Sequence, residues 1–311
     1  MMLTRSAMRR LQVVSTNLHR LGPRAYMSTV ATPGLDGAGF GHEGKLVIVT
    51  GGANGIGRSV CLEFARCGAN VLCADFDDDG GAQTVAEAVG LAGSVKFMHA
   101  DMTDAAVPAQ IVEAALDWQS GSPVGCLVNN VGIQEDNGTP VHLLEEAVWD
   151  KVMDVNIKSY FLMAKYALPS MIEAQSGVII NMASVQGHQS QVGIPAYASS
   201  KGAILSLTRQ MAMDYSNSGI RSVSVSPGTI LTPLVDFVIT SDPVQFPEGI
   251  AGLDKGYPRG KIGAPEDIAN LCLFLASPYA ANITGQDICC DGGIMAMGGW
   301  NDNIGYKSYT E

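Results

Sequence analysis

The sequence predicts an α/β domain with a doubly wound parallel sheet and helices on both faces. Three observations carry this. Short apolar runs that read as strands alternate with helical stretches, a glycine-rich turn joins the first strand to the first helix, and 311 residues leave room for one large body after a distinct start. A body of that size buries roughly three quarters of its chain surface.

Lys45-Leu46-Val47-Ile48-Val49-Thr50 reads as a buried strand, and Gly51-Gly52-Ala53-Asn54-Gly55-Ile56-Gly57 follows directly, opening a helix that runs through Val60, Phe64 and Ala65 to Gly68. Glycines let the backbone approach an anion, and the unpaired N–H groups of the helix start face it together with the helix dipole. The spacing Gly51, Gly55, Gly57 departs from GxGxxG. A tight turn alone would also use glycines, but placement between strand and helix favours a pyrophosphate site.

Val71-Leu72-Cys73-Ala74-Asp75 reads as the second strand, and its carboxylate comes eighteen residues after Gly57, close to the offset of about 20 expected for a group that binds the adenosine ribose. A carboxylate there accepts from both hydroxyls and repels a 2′-phosphate, since two like charges about 4 Å apart cost on the order of 4 kcal/mol at an effective dielectric of 20. Ala53, Asn54 and Phe76 offer no compensating cation, so the expected cofactor is NAD rather than NADP. The competing reading has Asp75 begin the polar run Asp77, Asp78, Asp79, taken as a solvated turn. Further strands are read at Cys126-Leu127-Val128, Gly177 to Ile180, Ile220 to Val225 and Ile288-Cys289-Cys290.

Tyr197 and Lys201 stand four residues apart, one helical turn, with Ser184 thirteen residues upstream. A cation beside a phenol stabilises the phenolate and lowers a pKa that is otherwise about 10. Tyr197 then becomes a usable general base, although the same spacing also occurs on solvated helices.

Taken in order, these residues resemble the short-chain dehydrogenase/reductase family, in the form with a TGxxxGxG loop, from about Lys45 to Gly293. The resemblance implies a Rossmann-type sheet of about seven strands and reversible hydride transfer between a secondary alcohol and a ketone. It gives the loop residues Gly51, Asn54, Gly55, Ile56 and Gly57 to the cofactor, Asp101 and Met102 to adenine, and Asn129 and Gly132 of Asn129-Asn130-Val131-Gly132 to the sheet and cofactor, with Val131 in place of the usual alanine. Pro227, Gly228, Ile230 and Thr232 would receive the nicotinamide carboxamide. In the catalytic set, Asn156 would hold a relay water and Ser184 the reacting oxygen. Tyr197 would act as general acid and base, and Lys201 would depress the Tyr197 pKa and bind the nicotinamide ribose. The long helices around Glu146 to Met171 and Tyr197 to Tyr215 match those that pair in the family's dimers, and the carboxyl end near Asp291-Gly292-Gly293 matches where its tetramers make further contacts, so the resemblance implies a homotetramer, or a dimer.

Residues 1–35 carry Arg5, Arg9, Arg10, Arg20 and Arg24 with no acid, and on a helix Leu3, Met8, Leu11, Val14 and Leu18 would line one face. That pattern predicts a mitochondrial transit peptide cleaved between Arg24 and Gly41, or a cytoplasmic enzyme if translation starts at Met27. The expected organisation is transit peptide and linker over 1–42, an NAD-binding dehydrogenase domain over 43–298, and a tail over 299–311. The net charge of −11 disfavours nucleic acid and anionic membrane as partners, and no apolar run reaches the ~20 residues that span a bilayer.

The seven cysteines form no CxxC pair and the histidines show no ligand spacing, so no metal is expected and the thiols read as buried and free. His188 alone falls in a loop expected to border substrate. That loop, Gln186 to Gln191, is polar and suits a sugar or polyol; Leu234, Val235, Phe237, Val238 and Ile239 in a lid after Thr232 are apolar and suit an acyl or steroid substrate. The expected activity is therefore a dehydrogenase of a sugar or polyol, with 3-oxoacyl reduction or hydroxysteroid oxidation as alternatives. A non-catalytic NAD-binding regulator is the alternative of another class.

Overall fold

A computed structural model describes residues 40–297, apart from Asn137 and positions 234, 237, 238 and 240–246. The arginine-rich start, the tail and most of the expected lid lie outside the described residues.

Seven parallel strands form one sheet in the order β3-β2-β1-β4-β5-β6-β7. They are β1 (Leu46–Thr50), β2 (Asn70–Asp75), β3 (Ser94–His99), β4 (Val124–Asn129), β5 (Gly177–Met182), β6 (Ile220–Pro227) and β7 (Asp287–Cys290). The helices between them are α1 (Gly55–Arg66), α2 (Asp78–Glu87), α3 (Val107–Trp118), α4 (Glu146–Met153), α5 (Ser159–Ala174), α6 (Pro195–Tyr215), α7 (Gly249–Lys255) and α8 (Pro265–Ala276).

Every residue of β1 is buried, because helices cover both faces and side chains alternate between them. Val47, Val49, Val71 and Cys73 point to one layer with Phe64 of α1 and Ile268 of α8. Leu46, Ile48 and Leu72 point to the other, with Ile111 of α3 and Met163 and Met171 of α5. Strand order reverses between β1 and β4, which opens a crevice at their carboxyl ends, the usual ligand position in such sheets. The site residues gather there.

Two readings of the sequence change. Asp77, Asp78 and Asp79 are not a solvated turn: Asp77 caps α2, accepting from Gly80 N at 3.0 Å, and Asp78 lies 2.8 Å from His99 Nδ1. Carboxylates at a helix start are stabilised by its dipole, so an acidic run there opens a helix. The long helix from Glu146 is interrupted by a π-turn over Asp154–Lys158, with Asn156 inside it; such turns often mark functional positions. No helix among the described residues is long and apolar enough to cross a membrane.

Candidate active site

The crevice begins at the glycine turn. Gly51 and Gly55 have φ of +69° and +51°, conformations other residues rarely adopt. At Gly57 a Cβ would lie 1.9 Å from Gly51 O, so the turn closes only with glycine. Asn54 caps α1 by backbone alone, and the first turn of α1 has no acidic residue. Its N–H groups are thus left to an anion. Asn54 Nδ2 instead donates to Asp77 Oδ2 at 2.6 Å, which ties the loop to the start of α2.

Asn130 contributes more than the sequence reading allowed. Its Nδ2 donates to Thr50 O and Gly51 O at 3.1 and 3.0 Å, and its N–H reaches Thr50 Oγ1. Asn129 turns the other way: fully buried, it donates to Asn181 Oδ1 at 2.9 Å, and Asn181 donates on to Thr208. The Asn129 side chain therefore binds β4 to β5 inside the sheet and does not face the crevice.

Asp75 stands at the carboxyl end of β2, where Oδ2 accepts from Ala53 N at 2.9 Å and Oδ1 from Asp77 N at 3.1 Å. Arg58, passed over in the sequence, lies close by. Its donors reach Ala53 O, Thr84 Oγ1, Gly80 O and Asn54 Oδ1, with Glu87 at 3.6 Å. That cation is engaged in holding α2 against the loop. Asp101 is exposed and accepts from both Thr103 N and Thr103 Oγ1, while Met102 is buried beside it.

On the far side, Pro227 ends β6, and the chain beyond it bends back toward the glycine turn. Ile230 is buried and bridges to Gly263. Gly228 packs against Asp291, and a Cβ on Gly55 would meet the Thr232 side chain at 2.9 Å. Of the expected lid, Val235 and Ile239 fall among the described residues, and Ile239 is buried; Leu234, Phe237 and Val238 do not.

Ser184, Tyr197 and Lys201 meet where β5 ends and α6 starts. Ser184 caps a short 3-10 turn, accepting from Gln186 N at 3.1 Å, and its side chain hydrogen-bonds the Tyr197 phenol. Lys201 is 3% exposed, donates to Met182 O at 2.8 Å, and holds Nζ 5.5 Å from the Tyr197 ring centroid. Asn156 accepts from Ile133 N at 2.8 Å and donates to Ile133 O and Ser200 Oγ. A Cβ on Gly132 would stand 3.4 Å from Lys201 Nζ and 3.5 Å from Asn156 Oδ1, so glycine keeps the space between these two groups open.

At Tyr197 the net shift runs upward, opposite to the depression expected from Lys201. Burial raises the phenol above its ordinary value, the Ser184 hydrogen bond opposes the rise, and the Asp136 charge adds to it. Burial also lowers Lys201 to about 7, because desolvation disfavours its charged form.

Asp136 joins the site from outside every sequence motif. It is fully buried, and Oδ2 accepts from Ala196 N at 2.7 Å and Tyr197 N at 3.0 Å, while Oδ1 has no partner among the described residues. This carboxylate caps α6 at the residue that carries the phenol. No local pattern connects it to a helix start sixty residues away; a carboxylate in the turn just after β4 was the only hint.

Residues 51–295 match a family described as Enoyl-(Acyl carrier protein) reductase. The chain is 41% identical over 259 residues to 2-(S)-hydroxypropyl-CoM dehydrogenase 3 of Xanthobacter autotrophicus, covering 81% of this chain and 97% of the relative. It is 35% identical over 255 residues to the 3-oxoacyl-[acyl-carrier-protein] reductase FabG of Thermotoga maritima, covering 81% and 98%. Among solved structures, a putative gluconate dehydrogenase from Agrobacterium tumefaciens superposes with a TM-score of 0.76 at 30% identity, covering 83% of this chain and 98% of that one. Relatives matched over nearly their whole length, on a sheet whose crevice is built this way, place the chain in the short-chain dehydrogenase/reductase family of oxidoreductases, whose members use NAD or NADP.

Proposed function

We propose that the protein is an NAD(H)-dependent dehydrogenase that interconverts a secondary alcohol and a ketone, with Tyr197 as general acid and base. The observation that carries this reading is the convergence of Ser184, Tyr197 and Lys201 beside a crevice whose α1 start is left uncapped. The glycine turn, Asp75 and the Pro227 to Thr232 segment would hold the dinucleotide, and the nicotinamide supplies hydride exchange when bound. NAD is favoured over NADP by Asp75 at the ribose position and by the engagement of Arg58 with α2.

Tyr197 holds its proton at neutral pH, so it is set to donate to a ketone oxygen that Ser184 orients. In the reverse direction it must first lose that proton, and Lys201 and Asn156 border the space through which it leaves. Alcohol oxidation should therefore rise through the alkaline range while reduction falls.

The substrate is a small secondary alcohol or its ketone, with sugars and polyols as the first group to try and 3-oxoacyl thioesters as the second, given the FabG relative. The polar loop supports the sugar reading less than its composition suggests, because Gln186 accepts from Gln191 N and His188 pairs with Asp287. Partly exposed Trp149 and exposed Phe161 on α4 and α5, and Met213 on α6, support burial of these helices in a homotetramer or dimer. Import into mitochondria, directed by the arginine-rich start, completes the proposal. Purified protein screened with secondary alcohols and NAD, and with ketones and NADH, should show turnover in the nicotinamide absorbance. Tight NADH binding with no turnover across the screen would favour a regulatory role instead.

A further inference from the structure

The loop after β5 and the edge strand β7 bring together three side chains that no motif spacing connects. His188 Nε2 lies 2.7 Å from Asp287 Oδ2, Cys289 Sγ lies 3.8 Å from the same oxygen, and the three donor atoms all fall within 4.8 Å of one another. Asp287 and Cys289 are two residues apart on one strand, so they share a face of the sheet. His188 reaches that face from the loop beyond Ser184.

The surroundings fix the carboxylate. Ser224 Oγ donates to Asp287 Oδ1 at 2.6 Å, which leaves Oδ2 to the other two donors. Ser226 pairs with Cys289 in register and so lies on the same face; its hydroxyl is buried without a partner among the described residues. An O–H donor in that position suits a neighbouring thiolate, since outer groups that hydrogen-bond ligand atoms tune and orient them.

Imidazole, carboxylate and thiolate together form a set that suits zinc and its neighbours better than magnesium or calcium. Metal–ligand bonds of about 2.0–2.3 Å place tetrahedral donors about 3.3–3.8 Å apart, a separation these three reach with small side-chain movements. We propose that His188, Asp287 and Cys289 bind a zinc-type divalent cation, with solvent in the fourth position. On binding, the Cys289 thiol releases its proton to solvent and a sulfur–metal bond forms, without change of oxidation state. The ion ties the loop that carries Ser184 to the edge strand. His188 also lines a cavity of about 480 Å³ with Gln186, Gln191 and Ile194, so the metal stiffens one of its walls. The site rests on these contacts and not on the dehydrogenase reading.

Cobalt titration of metal-free, full-length protein tests it. One equivalent should bind with a sulfur-to-cobalt charge-transfer band, and zinc should displace it. Cys289→Ser should abolish the band, and His188→Ala should weaken binding at least tenfold, in line with the 10–100-fold typical of losing even an outer partner. Cys290→Ser should change nothing, because its sulfur approaches Asp267 O instead. If Cys289→Ser fails to fold, Asp287→Asn, which keeps an acceptor for Ser224, should show the same tenfold loss. No sulfur band in the unmodified protein, or a band that survives Cys289→Ser, overturns the site.

Discussion

Two helix starts face the same crevice and are finished in opposite ways. At α1 no side chain caps the helix and no acid sits in the first turn, so its N–H groups would suit an anion from outside. At α6 a buried carboxylate of the protein itself, Asp136, takes the N–H groups of Ala196 and Tyr197. The difference separates binding from positioning: an open start recruits a phosphate, whereas a start closed by an internal anion fixes the residue it carries, here the phenol of Tyr197.

The most damaging change to the open start is Gly57→Val, since any Cβ there would meet Gly51 O at 1.9 Å. Dinucleotide affinity should fall at least a hundredfold, about 2.7 kcal/mol, as read by NADH fluorescence titration, with the sheet intact by circular dichroism.

Lys201→Met sharpens the contrast from the other side. A lysine lowered to about 7 is protonated in the unfolded chain up to its ordinary value near 10.4, so the unfolded state binds more protons between those limits and wild-type stability should rise with pH there. The methionine variant should lose activity and NAD affinity. It should nonetheless melt at or above the wild-type temperature at pH 6, and its melting should lose that pH dependence.

Asp75→Ala tests the cofactor choice. Wild type should bind NADH at least tenfold more tightly than NADPH, about 1.4 kcal/mol, and the variant should narrow that ratio. Equal affinities in the wild type would remove the ribose assignment.

The smallest expected effect belongs to the closed start. Asp136→Asn keeps an acceptor for Ala196 and Tyr197 but removes a charge that raises the Tyr197 pKa, so the pH profile of alcohol oxidation should move to lower pH. Of the other groups near the phenol, Tyr160 is itself raised by burial, and Lys201 Nζ stands 5.9 Å from the Tyr160 ring and 5.5 Å from the Tyr197 ring. Asp136→Ala, which also removes the cap, should cost about 1–2 kcal/mol of stability. An unmoved profile in Asp136→Asn would leave Asp136 with a structural role only.

The contrast also explains what the sequence made legible. The strands, the glycine turn and the Tyr197–Lys201 spacing are local patterns, in which the residues that make an element sit together. The carboxyl end of β2 could be located because the strand carries its own apolar signal up to Asp75. By contrast, Asp136, Asn130, and the meeting of His188 with Asp287 and Cys289 depend on chain crossings that no window spans. The acidic run after Asp75 is ambiguous because a helix start and a solvated turn favour the same residues. The charge relation of Tyr197 and Lys201 is hard to read for a different reason: spacing shows that two groups are neighbours, but burial also bears on whether the cation keeps its proton.

The central claim is that Tyr197 performs proton transfer next to a dinucleotide held by the open start of α1. Turnover and NADH binding should be measured on the same preparations of wild type and Tyr197→Phe, which keeps the ring and removes the ionisable oxygen. Activity should fall by roughly 10²–10⁴-fold while NADH affinity stays within a factor of about 2–3; a Tyr197→Phe enzyme with near-normal turnover would contradict the account.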